Sequence, residues 1–173
     1  MARAYADLWR QLGITHELTI NAGLHSRPVR DEEMHQMMRR FIRKATCKLR
    51  DVPRRSSMDI SARDPNVLMV AGFVEPRTFA GDLQPHWHGG VALRNGEEQE
   101  FRDLLWKHLG ADADNPLKPF EPTRTTRPLL RLPSSKPTFH FQPLTTIPRF
   151  IRYSNKQAVD ADFPFFTTLD YLS

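Results

Sequence analysis

Apolar and polar residues alternate through Ile14-Thr15-His16-Glu17-Leu18-Thr19-Ile20, the period of two that a half-buried β-strand requires. After a turn containing Gly23 and Pro28 the period changes. From about Asp31 to Leu49, residues Met34, Met37, Met38, Phe41, Ile42, Ala45 and Leu49 fall three and four apart, which gathers them on one face of a helix. Asp31, Glu32 and Glu33 at its start and Lys48 and Arg50 at its end complement the helix dipole. The Met stripe is read as core. Pro53 to Ser57 interrupts the pattern, and Val67 to Glu75 follows as a nearly continuous apolar run, the mark of a central strand, ending in a carboxylate. A loop over 76–85 leads to a strand from His86 to Leu93, so the pair is expected to form an antiparallel hairpin. Asn95-Gly96 turns the chain into a helix over about Glu97 to Leu109, with Phe101, Leu104, Leu105 and Leu109 inward and Gly110 as its cap.

The remaining third is less regular. Ala111 to Lys136 is rich in Pro, Thr and Arg and has no period, so it reads as a long basic loop of the kind that is more often functional than idle. Thr138-Phe139-His140-Phe141-Gln142 alternates again as a strand. Thr145 or Thr146 would cap a last helix with Pro148 in its first turn and Phe150, Ile151, Ser154 and Ala158 on one side. The ending from Phe163 is aromatic and reads as a docked tail. The order of elements is α+β, in a single domain over 1–173 with its core at about 14–160 and a C-terminal tail over 161–173.

Composition narrows the setting. At 173 residues the chain has room for one domain with a substantial core. No apolar run approaches the roughly 20 residues that span a bilayer, and Met1 to Asp7 lacks the apolar centre of a signal peptide. Cys47 is alone, which excludes a disulfide framework and a thiolate zinc cluster and makes a reducing, cytoplasmic setting the simplest expectation. The net charge of +5 favours an anionic partner. Clustering sharpens that inference: Arg39, Arg40, Arg43, Lys44, Lys48, Arg50, Arg54 and Arg55 fall in one stretch, and Lys118, Arg124, Arg127, Arg131 and Lys136 in another. Nucleic acid is the commonest partner for such a distribution.

Candidate chemistry concentrates in two places. In Pro85-His86-Trp87-His88-Gly89-Gly90 a strand projects His86 and His88 from one face and Trp87 from the other. The hairpin brings Glu75, at the end of the preceding strand, toward both. Two imidazoles and a carboxylate suit a divalent cation such as Mn2+, Mg2+ or Zn2+, with positions left for phosphate oxygens or water. His140 and Gln142 are weaker candidates for a fourth ligand or an outer partner. The second place is Arg149-Phe150-Ile151-Arg152-Tyr153-Ser154-Asn155-Lys156, where helical spacing makes Tyr153 and Lys156 neighbours and sets Arg149 one turn before. A phenol of pKa near 10 becomes a nucleophile when a cation favours its ionised form, and Lys156 offers one.

These motifs resemble those of the HUH (His-hydrophobic-His) endonucleases, in particular the single-tyrosine replication initiators of rolling-circle plasmids, phages and small single-stranded DNA viruses. Glu17-Leu18-Thr19-Ile20-Asn21 resembles the family's first motif, Phe73-Val74-Glu75 with Pro85-His86-Trp87-His88-Gly89 the metal-binding second, and Arg152-Tyr153-Ser154-Asn155-Lys156 the tyrosine motif YxxK. The resemblance spans about Thr15 to Ala158. It implies an antiparallel sheet of about five strands flanked by helices, RRM-like, with the metal site on the open face. It also implies that His86, His88 and Glu75 hold Mn2+ or Mg2+, that Tyr153 attacks a phosphate of single-stranded DNA or an origin hairpin, and that Lys156 assists. Arg39, Arg40, Arg43, Arg149 and Arg152 would bind the DNA. No GxxxxGK[ST] helicase motif occurs, so the protein is expected to borrow a host helicase and polymerase in a nucleoid-associated, cytoplasmic role, to act as a transposase or relaxase, or to be an excised nuclease domain. Two rival readings stay open. One is a non-catalytic nucleic-acid-binding relative of the same fold; the other is a metal-dependent phosphoesterase that uses water, with Tyr153 incidental.

Overall fold

The computed structural model of the protein describes residues 2–21, 31–50, 65–75, 86–112, 138–146 and 165–172. The elements in chain order are α1 (Ala2–Gln11), β1 (His16–Asn21), α2 (Asp31–Leu49), β2 (Val70–Glu75), β3 (His86–Val91), α3 (Glu98–His108), β4 (Ala111–Asp112), β5 (Thr138–Pro143), β6 (Phe165–Thr167) and a short helix α4 (Thr168–Leu172). One sheet runs β4-β5-β1-β3-β2-β6. From β5 to β6 its five strands are antiparallel, and the two-residue β4 adds a parallel edge beside β5. The protein is therefore α+β, an antiparallel five-stranded sheet flanked by helices.

Alternation decides what each sheet face carries. Leu18 and Ile20 of β1, Trp87 and Val91 of β3, Val70 and Val74 of β2, and Phe139 and Phe141 of β5 point to one side and are buried. Against them α2 lays Met34, Met37, Met38, Phe41, Ile42 and Ala45, α3 lays Phe101, Leu104 and Leu105, and α4 lays Tyr171. Each such side chain taken from water stabilises the fold by roughly 1.5–3 kcal/mol. Thr46 and Thr168, both fully buried, satisfy backbone groups at the start of β2: Leu68 N–H donates to Thr46 Oγ1 (3.1 Å), Val70 N–H donates to Thr168 Oγ1 (2.7 Å), and the Thr168 hydroxyl donates to Leu68 O (2.8 Å). Arg50 pairs with Glu97 in a nearly buried bridge between the ends of α2 and α3, and Lys48 Nζ lies 3.4 Å from Glu100.

Two segments outside the expected core turn out to belong to it. Ala2–Gln11, to which the hydrophobic pattern assigns no element, form α1. It ends in a Schellman motif: Gly13 N–H, at φ +66°, donates to Arg10 O (3.1 Å) and Ile14 N–H to Trp9 O (3.0 Å). Trp9, Ala6 and Ile14 then pack with Ala71 in a second small core on the other sheet face. At the opposite terminus the expected tail is an edge strand and a helix turn. β6 pairs with Ala71 to Phe73 of β2, Tyr171 is buried, and Asp170 reaches back to accept from Thr167 N–H at 2.7 Å, half of a capping box. Thr145 and Thr146 are exposed and not helical, and the helix expected beyond them lies outside the described residues, as does the basic loop over 113–136.

Glycines let both faces close. Gly72 and Gly89 are register partners, and a Cβ on either would run into the Trp87 indole, which lies across them. Gly90 points the other way, and a Cβ there would strike Ile14 and Trp9 of the α1 corner. The pair that follows His88 thus serves two layers, one glycine each.

Candidate metal and nucleic-acid site

On the second sheet face, α1 covers only the end that carries Gly90 and Ala71. The other end is a polar grid fixed by strand register. One row reads Thr138, Asn21, His86, Glu75 across β5, β1, β3 and β2; the next reads His140, Thr19, His88, Phe73. His86 and His88 are each partly exposed while Trp87 between them is fully buried, as the alternation of the HWH segment requires.

Glu75 and His88 are in direct contact: His88 Nε2 lies 3.2 Å from Glu75 Oε2, and both side chains are 12% exposed. Glu75 is also the register partner of His86. The two imidazole rings stack nearly parallel, 10° apart in plane, with centroids separated by 5.7 Å. The other nitrogen of His88, Nδ1, is 3.1 Å from Thr19 Oγ1 on β1. The Phe73 ring stands on the other side of His88 at 5.8 Å and limits water there.

The donor set can be compared with what a divalent cation needs. Ligand atoms at about 2.0–2.2 Å from an ion and about 90° apart lie roughly 3 Å from one another. The His88 Nε2 to Glu75 Oε2 spacing of 3.2 Å matches that edge. His86 stacks on the His88 ring of this pair. Among the described residues no group of three or more His, Cys, Asp or Glu side chains is gathered into a ready metal cage.

His140 and Gln142 are set apart from the pair. β1 lies between β5 and β3, so His140 is two strands from His88, about 10 Å at the usual strand spacing. Thr19 of β1 stands between His140 and His88 in the same row. Gln142 instead donates to Glu17 across the β1–β5 pair.

The basic helix is also apart. Arg39 and Arg40 are exposed and Arg43 half-buried on α2, which packs against the core face; the sheet stands between them and His86 and His88. Lys48 and Arg50 are occupied by Glu100 and Glu97. Alternation puts the helix and the His pair on opposite sides of the sheet. Tyr153, Lys156, Arg149 and Arg152 lie outside the described residues.

Sequence reasoning missed Thr19 and Phe73 as neighbours of His88. The alternation of β1 puts Thr19 on the polar face, but only strand register tells which side chain it meets. Among the described residues no helix is long and apolar enough to cross a membrane. Compared with protein families, curated proteins and solved structures, the chain matches none.

Proposed function

We propose that this chain is a metal-dependent, sequence-specific endonuclease and strand transferase acting on single-stranded DNA, with Tyr153 as its nucleophile. The observation that carries the reading is the contact between His88 and Glu75, with His86 stacked alongside, at the end of the sheet face away from α1. Nitrogen and carboxylate donors on rigid neighbouring strands suit a hard or borderline divalent cation. His88 and Glu75 would hold Mn2+ or Mg2+, joined by His86 after a side-chain rotation. When bound, such an ion polarises a phosphate and offsets the charge that builds up in the transition state.

The chain's own residues do the rest. The Tyr153 oxygen attacks phosphorus in line, an O–P bond forms, and the P–O3′ bond breaks. The products are a 5′-phosphotyrosine and a 3′-oxygen that takes up a proton. Lys156, three residues on, favours the phenolate and offsets phosphate charge. Arg149 and Arg152 bind flanking phosphates. The ester stores the bond energy, so the 3′-OH can attack it in reverse and the same site ligates. A free 3′-OH also primes synthesis, which fits initiation of rolling-circle replication, or mobilisation or transposition, at an origin hairpin. A host helicase and polymerase are the implied partners.

The test is a denaturing gel of the protein incubated with Mn2+ and a pool of single-stranded oligonucleotides. The expected result is a covalent protein–DNA band whose sequence gives the nick site, lost in the His86→Ala, His88→Ala double variant. Cleavage without an adduct would make water the nucleophile, and binding without cleavage would mark a non-catalytic relative; either result overturns the reading.

A further inference from the structure

His88 is held at both ring nitrogens by partners of different kinds. Nε2 faces Glu75 Oε2 at 3.2 Å, and Nδ1 faces Thr19 Oγ1 at 3.1 Å. A carboxylate only accepts hydrogen bonds, whereas a Thr hydroxyl both donates and accepts. A neutral imidazole carries a proton on one nitrogen and a lone pair on the other. With Glu75 as its neighbour, the neutral ring is satisfied at both nitrogens when Nε2 carries the proton and Nδ1 accepts from the Thr19 hydroxyl. An imidazole that ligates a cation through Nε2 has its proton on Nδ1 instead. In that state Thr19 Oγ1 must accept. A hydroxyl serves both arrangements by turning about its C–O bond, with no movement of the backbone.

Strand register gives this task to Thr19 within β1. Leu18 and Ile20 face the core, while Glu17 and Asn21 share the polar face but sit opposite Gly90 and His86. Thr19 alone on β1 is opposite His88.

We infer that Thr19 is a positioning residue that lets His88 exchange tautomers. Nε2–H faces Glu75 when no cation is bound, and Nδ1–H faces Thr19 when Nε2 ligates one. The proton displaced from Nε2 leaves to solvent and one is taken up at Nδ1. The inference rests on the metal reading above and gives β1 a part in that site. Outer partners that fix a ligand's tautomer typically hold about 10- to 100-fold in metal affinity.

The test is 15N NMR of the imidazole rings at one fixed pH, with and without Zn2+, in the wild type, Thr19→Val and Thr19→Ser. Zn2+ is the probe because it is diamagnetic. The expected wild-type result is an Nε2–H tautomer at His88 that becomes Nδ1–H on Zn2+ addition. Thr19→Val keeps the side-chain shape but lacks the hydroxyl; it should bind Zn2+ about 10- to 100-fold more weakly with an unchanged backbone amide spectrum. Thr19→Ser should recover most of the loss. A wild-type His88 that responds to Zn2+ while keeping Nε2–H, or a Thr19→Val variant with wild-type affinity, overturns this inference and leaves the metal reading standing. A wild-type His88 ring that ignores Zn2+ overturns both.

Discussion

Trp87 donates its indole N–H to the Tyr171 hydroxyl, 2.9 Å away, and so ties the strand that carries His86 and His88 to the last helix turn of the chain. Both side chains are buried, which makes the bond costly to leave half-made. Burial also pushes the Tyr171 phenol well above its ordinary pKa, so it stays protonated and is no rival to the proposed nucleophile, Tyr153.

Tyr171→Phe removes only the acceptor and leaves a buried indole N–H unsatisfied. It should lower stability by about 1–3 kcal/mol in urea unfolding. Assayed well below its melting temperature, the variant should form the covalent DNA adduct as the wild type does. Failure of a folded Tyr171→Phe protein to form the adduct would count against Tyr153.

Gly89→Ala places a methyl group against the Trp87 ring and the Ala71 carbonyl, both held by the sheet. Neither can move without shifting β2 or β3, so a loss of about 1–3 kcal/mol or more is expected from overpacking. Gly96 gives the contrast. Its surroundings are open but its φ is +87°, so Gly96→Ala meets only backbone strain and should cost roughly 1 kcal/mol. Thermal melts of the two variants should rank them in that order.

Acid should weaken the fold through histidines kept neutral inside it. His108 is buried, and desolvation, with Lys44 and Lys107 adding to it, lowers its pKa from 6.5 to about 4. His16, stacked on Phe141 at 5.0 Å, is lowered too, chiefly by desolvation. A lowered folded-state pKa means that the unfolded chain binds more protons between the two values, so stability rises with pH across that window. The His108 contribution is therefore complete above pH 6.5 and is lost as the pH falls toward 4. It amounts to at most about 3 kcal/mol. Urea titrations at a series of pH values should show a shallower acid slope in His108→Leu than in the wild type.

Where the hydrophobic period is long and clean, the sequence carries the fold. The Met stripe of α2, the alternation of β1, β3 and β5, and the continuous run of β2 all specify which face is buried, and the β2–β3 hairpin brings Glu75 opposite His86 as its loop implies. α1 is harder to read because, among the side chains described, Ala6 and Trp9 mark its buried face, too few to establish a period of 3.6. Its readable signal is its end, Leu12-Gly13-Ile14, where a glycine after a short Ala-rich stretch predicts a helix stop. The position of the α2 arginines was legible in principle, since a helix that covers the core face cannot share the face of His86. The contact of Thr19 with His88 was not, because the register of two neighbouring strands far apart in sequence depends on the whole sheet.

The same placement makes Arg39 and Arg40 a test of how DNA reaches the site. A short oligonucleotide held at His86 and His88 does not extend round the sheet to α2. Arg39→Glu with Arg40→Glu should leave its cleavage rate unchanged, while affinity for long DNA falls for all sequences alike. The slope of log affinity against log salt should flatten by about one unit for each phosphate that an arginine no longer neutralises. Equal weakening on short and long substrates would mean that the strand runs over the helix side.

Tyr153→Phe carries the most weight. It keeps the ring and removes one oxygen, the atom that the proposed chemistry requires to attack phosphorus. Tyr171 is buried with its hydroxyl engaged by Trp87, which removes it as a substitute. The variant should bind Zn2+ and DNA as the wild type does and form no covalent adduct on denaturing gels. Lys156→Ala should instead cleave slowly, because a cation held near His88 and Glu75, as proposed, would still offset most of the phosphate charge. The two variants together separate a missing nucleophile from a weakened one. Nicking by Tyr153→Phe at the wild-type rate would assign the attack to water, and the His88–Glu75 pair would then belong to a phosphoesterase that holds no strand.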